Sequence, residues 1–319
     1  MPTIPPVIHD VALTAARLRA GELIAVPTET VYGLAGNALD DLVVAKIYAA
    51  KNRPDFNPLI VHVPDLHAAM EFAEFSPAAN TLAEKFWPGP LTMVLQQRAA
   101  NKLSRLVTAN LPTVAIRIPA HPKMQQLLSA LPFPLAAPSA NPSGMISPTL
   151  PEHVQRYFTA DQVSAVLDGG PCAHGLESTI IDLSTDQPVL LRQGAVASAE
   201  LVAHLPGLRE AVKGAAITAP GMLSRHYAPA IPLRLGCDNP RAGEALLAFG
   251  PNPPGGFVTI CNLSATGDLT EAAANLYHQM HILDRADLYV GIATMPIPAH
   301  GLGVAIIDRL SRAAKDSTA

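Results

Sequence analysis

Residues 51–62 read Lys-Asn-Arg-Pro-Asp-Phe-Asn-Pro-Leu-Ile-Val-His and carry the most informative pattern in the chain. Lys51 and Arg53 come at the end of a predicted helix, and a short apolar strand ending on a histidine follows. The two cations supply donors suited to a polyphosphate, and Pro54 and Pro58 stiffen the loop that presents them. A basic helix C-terminus that complements the helix dipole is the structural alternative. Other polar segments of the chain favour the anionic ligand.

The composition predicts a globular protein with a sizeable core. The chain has 319 residues, enough for one large domain or two ordinary ones. Apolar residues make up 49% and charged residues 15%, against about 25% charged in typical domains. The 31 prolines are dispersed, which predicts many fixed loops. A net charge of -4 argues against a nucleic-acid coat or a basic membrane-binding surface, while a local basic cleft stays open.

The cysteines and the hydropathy pattern predict a cytoplasmic protein. Cys172, Cys237 and Cys261 lack metal-ligand spacing and are odd in number, which favours a reduced interior. The N-terminus has no basic region followed by a signal-type apolar core. No apolar run approaches the ~18 residues needed to span a bilayer. We therefore expect no membrane association.

The first two hundred residues alternate between helical and extended patterns, with some strands directly successive. This order predicts an α/β domain whose twisted mixed sheet is flanked by helices. Predicted helices are 10–20, 40–51, 76–87, 122–131, 151–158 and 199–205. Predicted strands are 22–27, 59–63, 91–95, 114–118, 135–137, 163–167, 179–183 and 189–191.

The periodicity changes at Pro206-Gly207. We predict a first domain over 1–205, an interdomain linker over 206–232 and a smaller α/β domain over 233–319. The last region alternates again, with predicted helices at 241–247, 269–285 and 302–314 and predicted strands at 257–261 and 288–292.

Polar residues interrupt the apolar strands at several points. Thr28 to Thr30 follow a strand, where α/β sheets bind ligands, although a helix cap or turn fits them equally. Arg117 alternates with apolar neighbours and needs an anionic partner. That partner is either an internal Asp or Glu, the commoner case, or a substrate carboxylate held by two hydrogen bonds.

Two later segments have the same character. Residues 136–147 combine small residues with hydroxyls, so a ligand could approach the backbone closely, although a surface loop has a similar composition. Ser178 and Thr179 open one strand and Arg192 closes another, and both patterns are ambiguous singly.

Several familiar catalytic motifs are missing from the sequence. It contains no G-x-x-x-x-G-K-[ST], G-x-G-x-x-G, paired Cys-x-x-Cys or G-x-S-x-G motif. The residue types therefore predict an uncommon nucleotide cradle, and a reaction that depends on positioning charged reactants with a divalent ion.

Seven stretches, taken together, resemble one known family. They are PTETVYGLAGNA (27–38), KNRPDFNPLIVHV (51–63), FWPGPLTMVL (86–95), VAIRIPAHP (114–122), APSANPSGMISPT (137–149), GLESTIIDLS (175–184) and LLRQGAV (190–196). In these stretches the chain resembles the threonylcarbamoyl-AMP synthase family, whose catalytic core is a YrdC-like domain. SRHYAP (224–229), NLSATGDLTEAAANLY (262–277) and HGLGVAIIDRLSRAA (300–314) resemble the linker and the Rossmann-like C-terminal domain of its two-domain form.

The resemblance implies a synthase that joins L-threonine, bicarbonate and ATP into L-threonylcarbamoyl-AMP and releases pyrophosphate. It implies a downstream tRNA-modifying threonylcarbamoyl transferase as partner, while the acidic net charge leads us to expect no stable nucleic-acid binding. Lys51 and Arg53 are the implied catalytic residues, and Mg²⁺ is implied as a companion of ATP, without protein ligands. The implied L-threonine residues are Thr30, His62, Arg117, Ala137 and Ser178. The implied ATP residues are Arg53, Asn57, Thr113, Ser139, Ser147, Arg192 and Tyr227.

Two other functions stay open. Some larger enzymes use a YrdC-like module to form a carbamoyl-adenylate, but their additional domains are not found in this sequence. An RNA-binding module is the other alternative, although the acidic net charge and the few aromatic-plus-basic clusters weigh against it.

Overall fold

The computed structural model describes residues 3–212, 219–220, 226–237 and 239–314. Within them lie an eleven-stranded and a four-stranded sheet. The helices are α1 Val11–Arg19, α2 Asp41–Lys51, α3 Leu66–Met70, α4 Pro77–Phe86, α5 Pro122–Ser129, α6 Pro151–Gln155, α7 Ser198–Val202, α8 Leu269–Leu283 and α9 Leu302–Ala313. The strands are β1 Val7–Ile8, β2 Ile24–Val26, β3 Gly33–Asn37, β4 Ile60–His62, β5 Leu91–Gln96, β6 Thr113–Arg117, β7 Leu135–Ala136, β8 Ala165–Leu167, β9 Thr179–Asp182, β10 Val189–Arg192, β11 Arg209–Glu210, β12 Leu233–Arg234, β13 Glu244–Ala248, β14 Ile260–Asn262 and β15 Gly291–Thr294.

The large sheet mixes parallel and antiparallel pairs, as the sequence predicted. Its order is β1-β8-β2-β3-β7-β4-β6-β5-β9-β10-β11. The central strands β4 and β6 are parallel, and their register sets His62 directly beside Arg117. Strand β5 is antiparallel to β6 and parallel to β9. The carboxyl ends of β4 and β6 therefore reach the same sheet edge.

Local capping explains why the predicted helices begin where they do. The Asp10 side chain accepts hydrogen bonds from two backbone N–H groups of α1, and Asp40 does the same for α2. Ser76 caps α4, whose first residue is Pro77. Asn52 ends α2 in a left-handed conformation with φ 48°, which turns the chain sharply before Arg53.

The four-stranded sheet is entirely parallel, in the order β12-β15-β13-β14. The predicted helix over 241–247 is wrong, because Glu244–Ala248 forms the strand β13. Its Glu-Ala-Leu-Leu-Ala sequence favours a helix by intrinsic propensity. However, β13 lies between two parallel strands and all five of its residues are buried, so the tertiary environment decides its conformation.

The sequence patterns did not predict strand β3, because it is rich in glycine, a poor strand former. Gly36 is required there by packing, since a Cβ atom would lie 2.6 Å from Cγ1 of Val43 on α2. Other short elements also went unpredicted, namely β1, β11, β12 and α3.

One apolar cluster joins the two sheets. It combines Val31, Ile146 and Leu176 with Tyr227 and with side chains of the C-terminal sheet and of α8 and α9. The linker motif is described only from His226 onward, so Ser224 and Arg225 lie outside the described residues. The domain bounds at 205 and 232 stay a prediction. No helix in the described segments is long and apolar enough to cross a membrane.

Candidate functional site

A pocket opens at the carboxyl ends of the central strands and has an empty volume of about 540 Å³, part of it open to solvent. Residues from nine separated segments form its wall. They include Thr28, Thr30, Val31, Gly33, Arg53, Ile60, His62, Arg117, Ala137, Pro138, Ser139, Glu177, Ser178, Arg192, Pro220, His226 and Tyr227.

Arg117 at the end of β6 is fixed by an internal carboxylate. Its Nη2 donates to Oε1 of Glu29 at 2.6 Å, Nη1 donates to Oγ1 of Thr30 at 2.9 Å, and Nε donates to the carbonyl oxygen of Gly89 at 3.1 Å. The commoner of the two partners expected from the sequence is therefore present. Three of the five guanidinium N–H groups are used, which leaves one on each terminal nitrogen for a ligand.

His62, at the end of β4, is the neighbour of Arg117 in the sheet. Burial and then the charge of Arg117 lower its pKa to about 3. The imidazole is therefore neutral near pH 7, and its Nδ1 donates to the carbonyl oxygen of Ile60 at 3.3 Å rather than to a ligand.

Arg53 is anchored by the loop that the two prolines stiffen. Its Nε donates to the carbonyl oxygen of Asn57 at 3.0 Å, and its Nη2 donates to Oδ1 of Asn57 at 2.6 Å and to the carbonyl oxygen of Pro58 at 2.7 Å. The Nδ2 group of Asn57 is buried with no protein partner. Asn57 lies outside the pocket wall and contributes by orienting Arg53.

Arg192 and Ser178 are coupled across the β9–β10 pair. Nε and Nη2 of Arg192 donate to the Ser178 carbonyl oxygen at 3.1 and 2.9 Å, and Nη2 also donates to Oγ of Ser178 at 3.0 Å. The Oγ atoms of Ser178 and Thr92 are 2.7 Å apart. These bonds place a cation and a hydroxyl side by side in the pocket.

Lys51 is buried and lies behind the pocket wall. Its Nζ donates to the carbonyl oxygens of Ser139, at 2.5 Å, and of Asn141. Burial and then the nearby Arg53 hold its pKa well below the usual range. In this arrangement Lys51 fixes the loop that carries Ser139.

Two buried cations of the pocket, Arg53 and Arg192, have no carboxylate of the described residues in ion-pair contact, although Glu177 lies near enough to Arg192 to interact with its charge. Arg53 is 9% exposed and Arg192 is 6% exposed. Within the described segments neither forms an ion pair with a carboxylate, whereas Arg117 is paired with Glu29 and Arg309 with Glu177. Burial lowers the pKa of Arg53 to about 10 and also lowers that of Arg192. An anionic ligand would offset the cost of burying both charges.

The end of the linker completes the pocket. His226 and Tyr227 are both buried, and Nδ1 of His226 and the Tyr227 hydroxyl have no hydrogen-bond partner among the described residues. Buried polar atoms are normally paired. These two polar atoms are therefore available to hydrogen-bond a polar ligand in this pocket.

The structure brings nine of the sequence-predicted residues to the pocket wall. These are Thr30, Arg53, His62, Arg117, Ala137, Ser139, Ser178, Arg192 and Tyr227. Lys51, Asn57 and Ser147 lie behind it and bond to wall residues, Ser147 through Oε1 of Glu177 at 2.6 Å. Thr113 lies at the opposite end of β6 from Arg117, beside Gln96. Thr28, from the strand-end segment indicated by the sequence, also lines the wall, and Glu177 and His226 line it unpredicted, although the quoted motifs contain both.

The described segments contain no group of three or more His, Cys, Asp or Glu side chains that could hold a metal ion. The carboxylate of Glu177 lines the pocket, and Ser147, Tyr277 and Arg309 already donate to its oxygens. The described side chains therefore do not fit a protein-held metal.

Sequence profiles of two families match consecutive parts of the chain. The Sua5/YciO/YrdC profile, described as "Telomere recombination", matches residues 16–194. The profile of the threonylcarbamoyl-AMP synthase C-terminal domain matches residues 190–315.

Curated relatives and a solved structure agree with these matches. The chain is 38% identical to the threonylcarbamoyl-AMP synthase of Bacillus subtilis over 96% of this chain and 93% of that protein. It is also 38% identical to the enzyme of that name from Pyrococcus abyssi over 95% of this chain and 93% of that protein. The crystal structure of P. abyssi Sua5 complexed with L-threonine superimposes with a TM-score of 0.89 at 33% identity, over 98% of both chains. The chain belongs to the threonylcarbamoyl-AMP synthase family.

Proposed function

We propose that this family member is an L-threonylcarbamoyladenylate synthase, which joins L-threonine, bicarbonate and ATP and releases pyrophosphate. The observation that carries the proposal is the pair of buried arginines, Arg53 and Arg192, which line one pocket and have no ion-pair contact with a carboxylate in the described segments. A triphosphate supplies the missing negative charge.

For ATP, we assign Arg53, Arg192, Ser139 and Tyr227 to direct contact, since all four line the pocket. Arginine forks match phosphate oxygens, and the unpaired Tyr227 hydroxyl offers a further polar contact. The other proposed ATP residues, namely Asn57, Thr113 and Ser147, lie off the wall, so we assign Asn57 and Ser147 a supporting role. Mg²⁺ enters as part of the ATP complex.

For L-threonine, the proposed residues are Thr30, His62, Arg117, Ala137 and Ser178. The two remaining N–H groups of Arg117 suit the substrate carboxylate. Ala137 is small and leaves room for the substrate side chain. The similar P. abyssi Sua5 was crystallised in complex with L-threonine, which supports threonine as a substrate of this chain.

The proposed chemistry has two steps. The amine of threonine attacks bicarbonate, and water leaves to give a carbamate. A carbamate oxygen then attacks the α-phosphorus of ATP, and pyrophosphate departs in line. Arg53 and Arg192 stabilise the negative charge that develops on the phosphates. Lys51, proposed as catalytic with Arg53, acts here by fixing the phosphate-facing loop through the carbonyl oxygens of Ser139 and Asn141.

We further propose that the product passes to a tRNA-modifying transferase in the cytoplasm. Residues 1–205 would form the catalytic domain, 206–232 the linker and 233–319 the smaller domain. A carbamoyl-adenylate-forming enzyme would instead consume carbamoyl phosphate.

The test is pyrophosphate release from ATP with threonine and bicarbonate omitted in turn. We expect release to depend on both. Release that carbamoyl phosphate supports without threonine would contradict the proposal. A salt titration of filter-bound RNA tests the RNA-binding alternative, for which we expect no stable complex.

A further inference from the structure

Glu177 lies between the pocket and the C-terminal helices. Its carboxylate accepts hydrogen bonds from Oγ of Ser147 at 2.6 Å, from the Tyr277 hydroxyl at 3.0 and 2.9 Å, and from Nε of Arg309 at 2.9 Å. Tyr277 belongs to α8 and Arg309 to α9, and each is 0% exposed. Two C-terminal helices therefore hold a carboxylate that lines the pocket.

The same two side chains also hold the ring of Tyr227. Cζ of Arg309 lies 5.0 Å from the centroid of that ring, and the ring of Tyr277 stacks on it at 5.8 Å and 28°. Nη2 of Arg309 donates to the carbonyl oxygen of Gln193 at 2.7 Å, directly after Arg192. The C-terminal pair thus reaches three segments of the pocket wall.

Close backbone packing between the loop before Glu177 and helix α8 holds these side chains in contact. Gly175 has φ 65°, and a Cβ atom there would lie 2.4 Å from the carbonyl oxygen of Ala273 on α8. The loop that leads to Glu177 is therefore pressed against that helix. Burial alone would raise the pKa of Glu177. The charges of Arg309 and Arg192 outweigh this effect and bring the pKa down to about 2, so the group is an ionised carboxylate near pH 7.

We propose that Tyr277 and Arg309 are positioning residues for nucleotide binding. They hold Glu177 and Tyr227 in position. Through these two wall residues, the C-terminal part of the chain sets the affinity of the pocket for ATP, although Tyr277 and Arg309 do not themselves take part in catalysis. The inference rests on the proposed function only for the identity of the nucleotide.

Two conservative variants test it in the full-length protein. Tyr277→Phe keeps the stacked ring but loses the hydroxyl that donates to Glu177. Arg309→Lys keeps the positive charge but loses the guanidinium group that donates to both Glu177 and Gln193. We expect the KM for ATP to rise about tenfold in each, with kcat changing less than about threefold, because a bond that positions binding groups affects ground and transition states alike. The Kd of a non-hydrolysable ATP analogue, measured by calorimetry, should rise in parallel.

Tyr289→Phe is the matched control. Its hydroxyl donates to Oγ1 of Thr259 at 2.9 Å within the C-terminal part, away from the pocket. We expect this variant to keep the wild-type KM and Kd.

An unchanged analogue Kd in Tyr277→Phe and Arg309→Lys would overturn the proposal. An equal rise in Tyr289→Phe, or failure of the two test variants to fold while the control folds, would also overturn it by pointing to general stability. If the wild-type protein releases no pyrophosphate with threonine and bicarbonate, the proposed function fails, yet analogue binding still decides the positioning role.

Discussion

The guanidinium of Arg117 and the carboxylate of Glu29 form a buried ion pair, with Nη2 and Oε1 2.6 Å apart. The second carboxylate oxygen of Glu29 accepts from the backbone N–H of Ala120 at 3.0 Å. The pair joins the turn after β2 to the end of β6, 88 residues apart in the chain. It orients the arginine that we assign to the threonine carboxylate.

Glu29→Gln should lower the free energy of unfolding by about 3 kcal/mol, because it leaves a buried guanidinium without its counter-charge. It should also raise the KM for threonine, since Arg117 loses its orientation. Urea denaturation and initial rates measure the two effects. Asp287→Asn, which breaks the exposed pair with Arg285, is the control and should leave the urea midpoint unchanged. A loss below about 1 kcal/mol in Glu29→Gln would contradict the argument.

Arg53→Ala should reduce turnover at least about tenfold, the scale of one lost charge-assisted contact near 1.4 kcal/mol. Pyrophosphate release at saturating ATP measures it. Arg105, an exposed arginine, supplies the control Arg105→Ala, which should keep wild-type turnover. Unchanged activity in Arg53→Ala would remove Arg53 from the proposed role.

Ala137→Val should raise the KM for threonine about tenfold while changing the KM for ATP much less. The side chain of Ala137 faces the pocket and is buried, and a Cβ atom on the neighbouring Gly33 would already come within 3.2 Å of it. Two added methyl groups therefore occupy substrate space. Exposed Ala100 provides the control Ala100→Val. Equal KM changes for both substrates would argue against a threonine subsite at Ala137.

Two buried histidines, His153 on α6 and His281 on α8, predict acid sensitivity. The ring of His153 stacks on that of His281 at 3.9 Å and on that of His278 at 5.5 Å. Burial and then the neighbouring histidines lower the pKa of His153 to about 2. Burial also lowers the pKa of His281 to about 3.

Since these folded-state pKa values lie below the unfolded value near 6.5, the unfolded chain binds more protons as the pH falls below 6.5. Folding stability should therefore decline from pH 6.5 downward, by about 2 kcal/mol per histidine at pH 5. Urea midpoints at pH 7 and pH 5 measure the decline, which should be smaller in His153→Gln than in the wild type. His67→Gln, at an exposed position, is the control. Equal declines in the wild type, His153→Gln and His67→Gln would show that His153 is not a source of the acid sensitivity.

The sequence was informative where local physics decides the structure. Asp10, Asp40 and Ser76 start helices because their side chains accept backbone N–H bonds. Arg117 was recognisable because a charge within an apolar strand needs a partner. Polar residues from separated motifs were expected at one site, and six of the cationic or hydroxyl-bearing ones, namely Thr30, Arg53, Arg117, Ser139, Ser178 and Arg192, line one pocket.

The features that the sequence did not predict depend on packing between residues far apart in the chain. Glu244–Ala248 has helix-forming residues but lies in the centre of a parallel sheet. Strand β3 contains Gly36, where a Cβ atom would lie 2.6 Å from Cγ1 of Val43 on α2. The contact of Glu177 with Tyr277 and Arg309 joins residues 100 and 132 positions apart, and no local pattern indicates such a pairing.

The strand order has a consequence for synthesis on the ribosome. Strand β2 is made early, yet one of its two neighbours is β8, and β5 likewise awaits β9. A nascent chain that ends before residue 165 therefore exposes unpaired strand edges, which are prone to aggregation. Arg192 and Tyr227 emerge later still, so catalytic competence should arise only near the completion of translation, and chaperone engagement should peak before it.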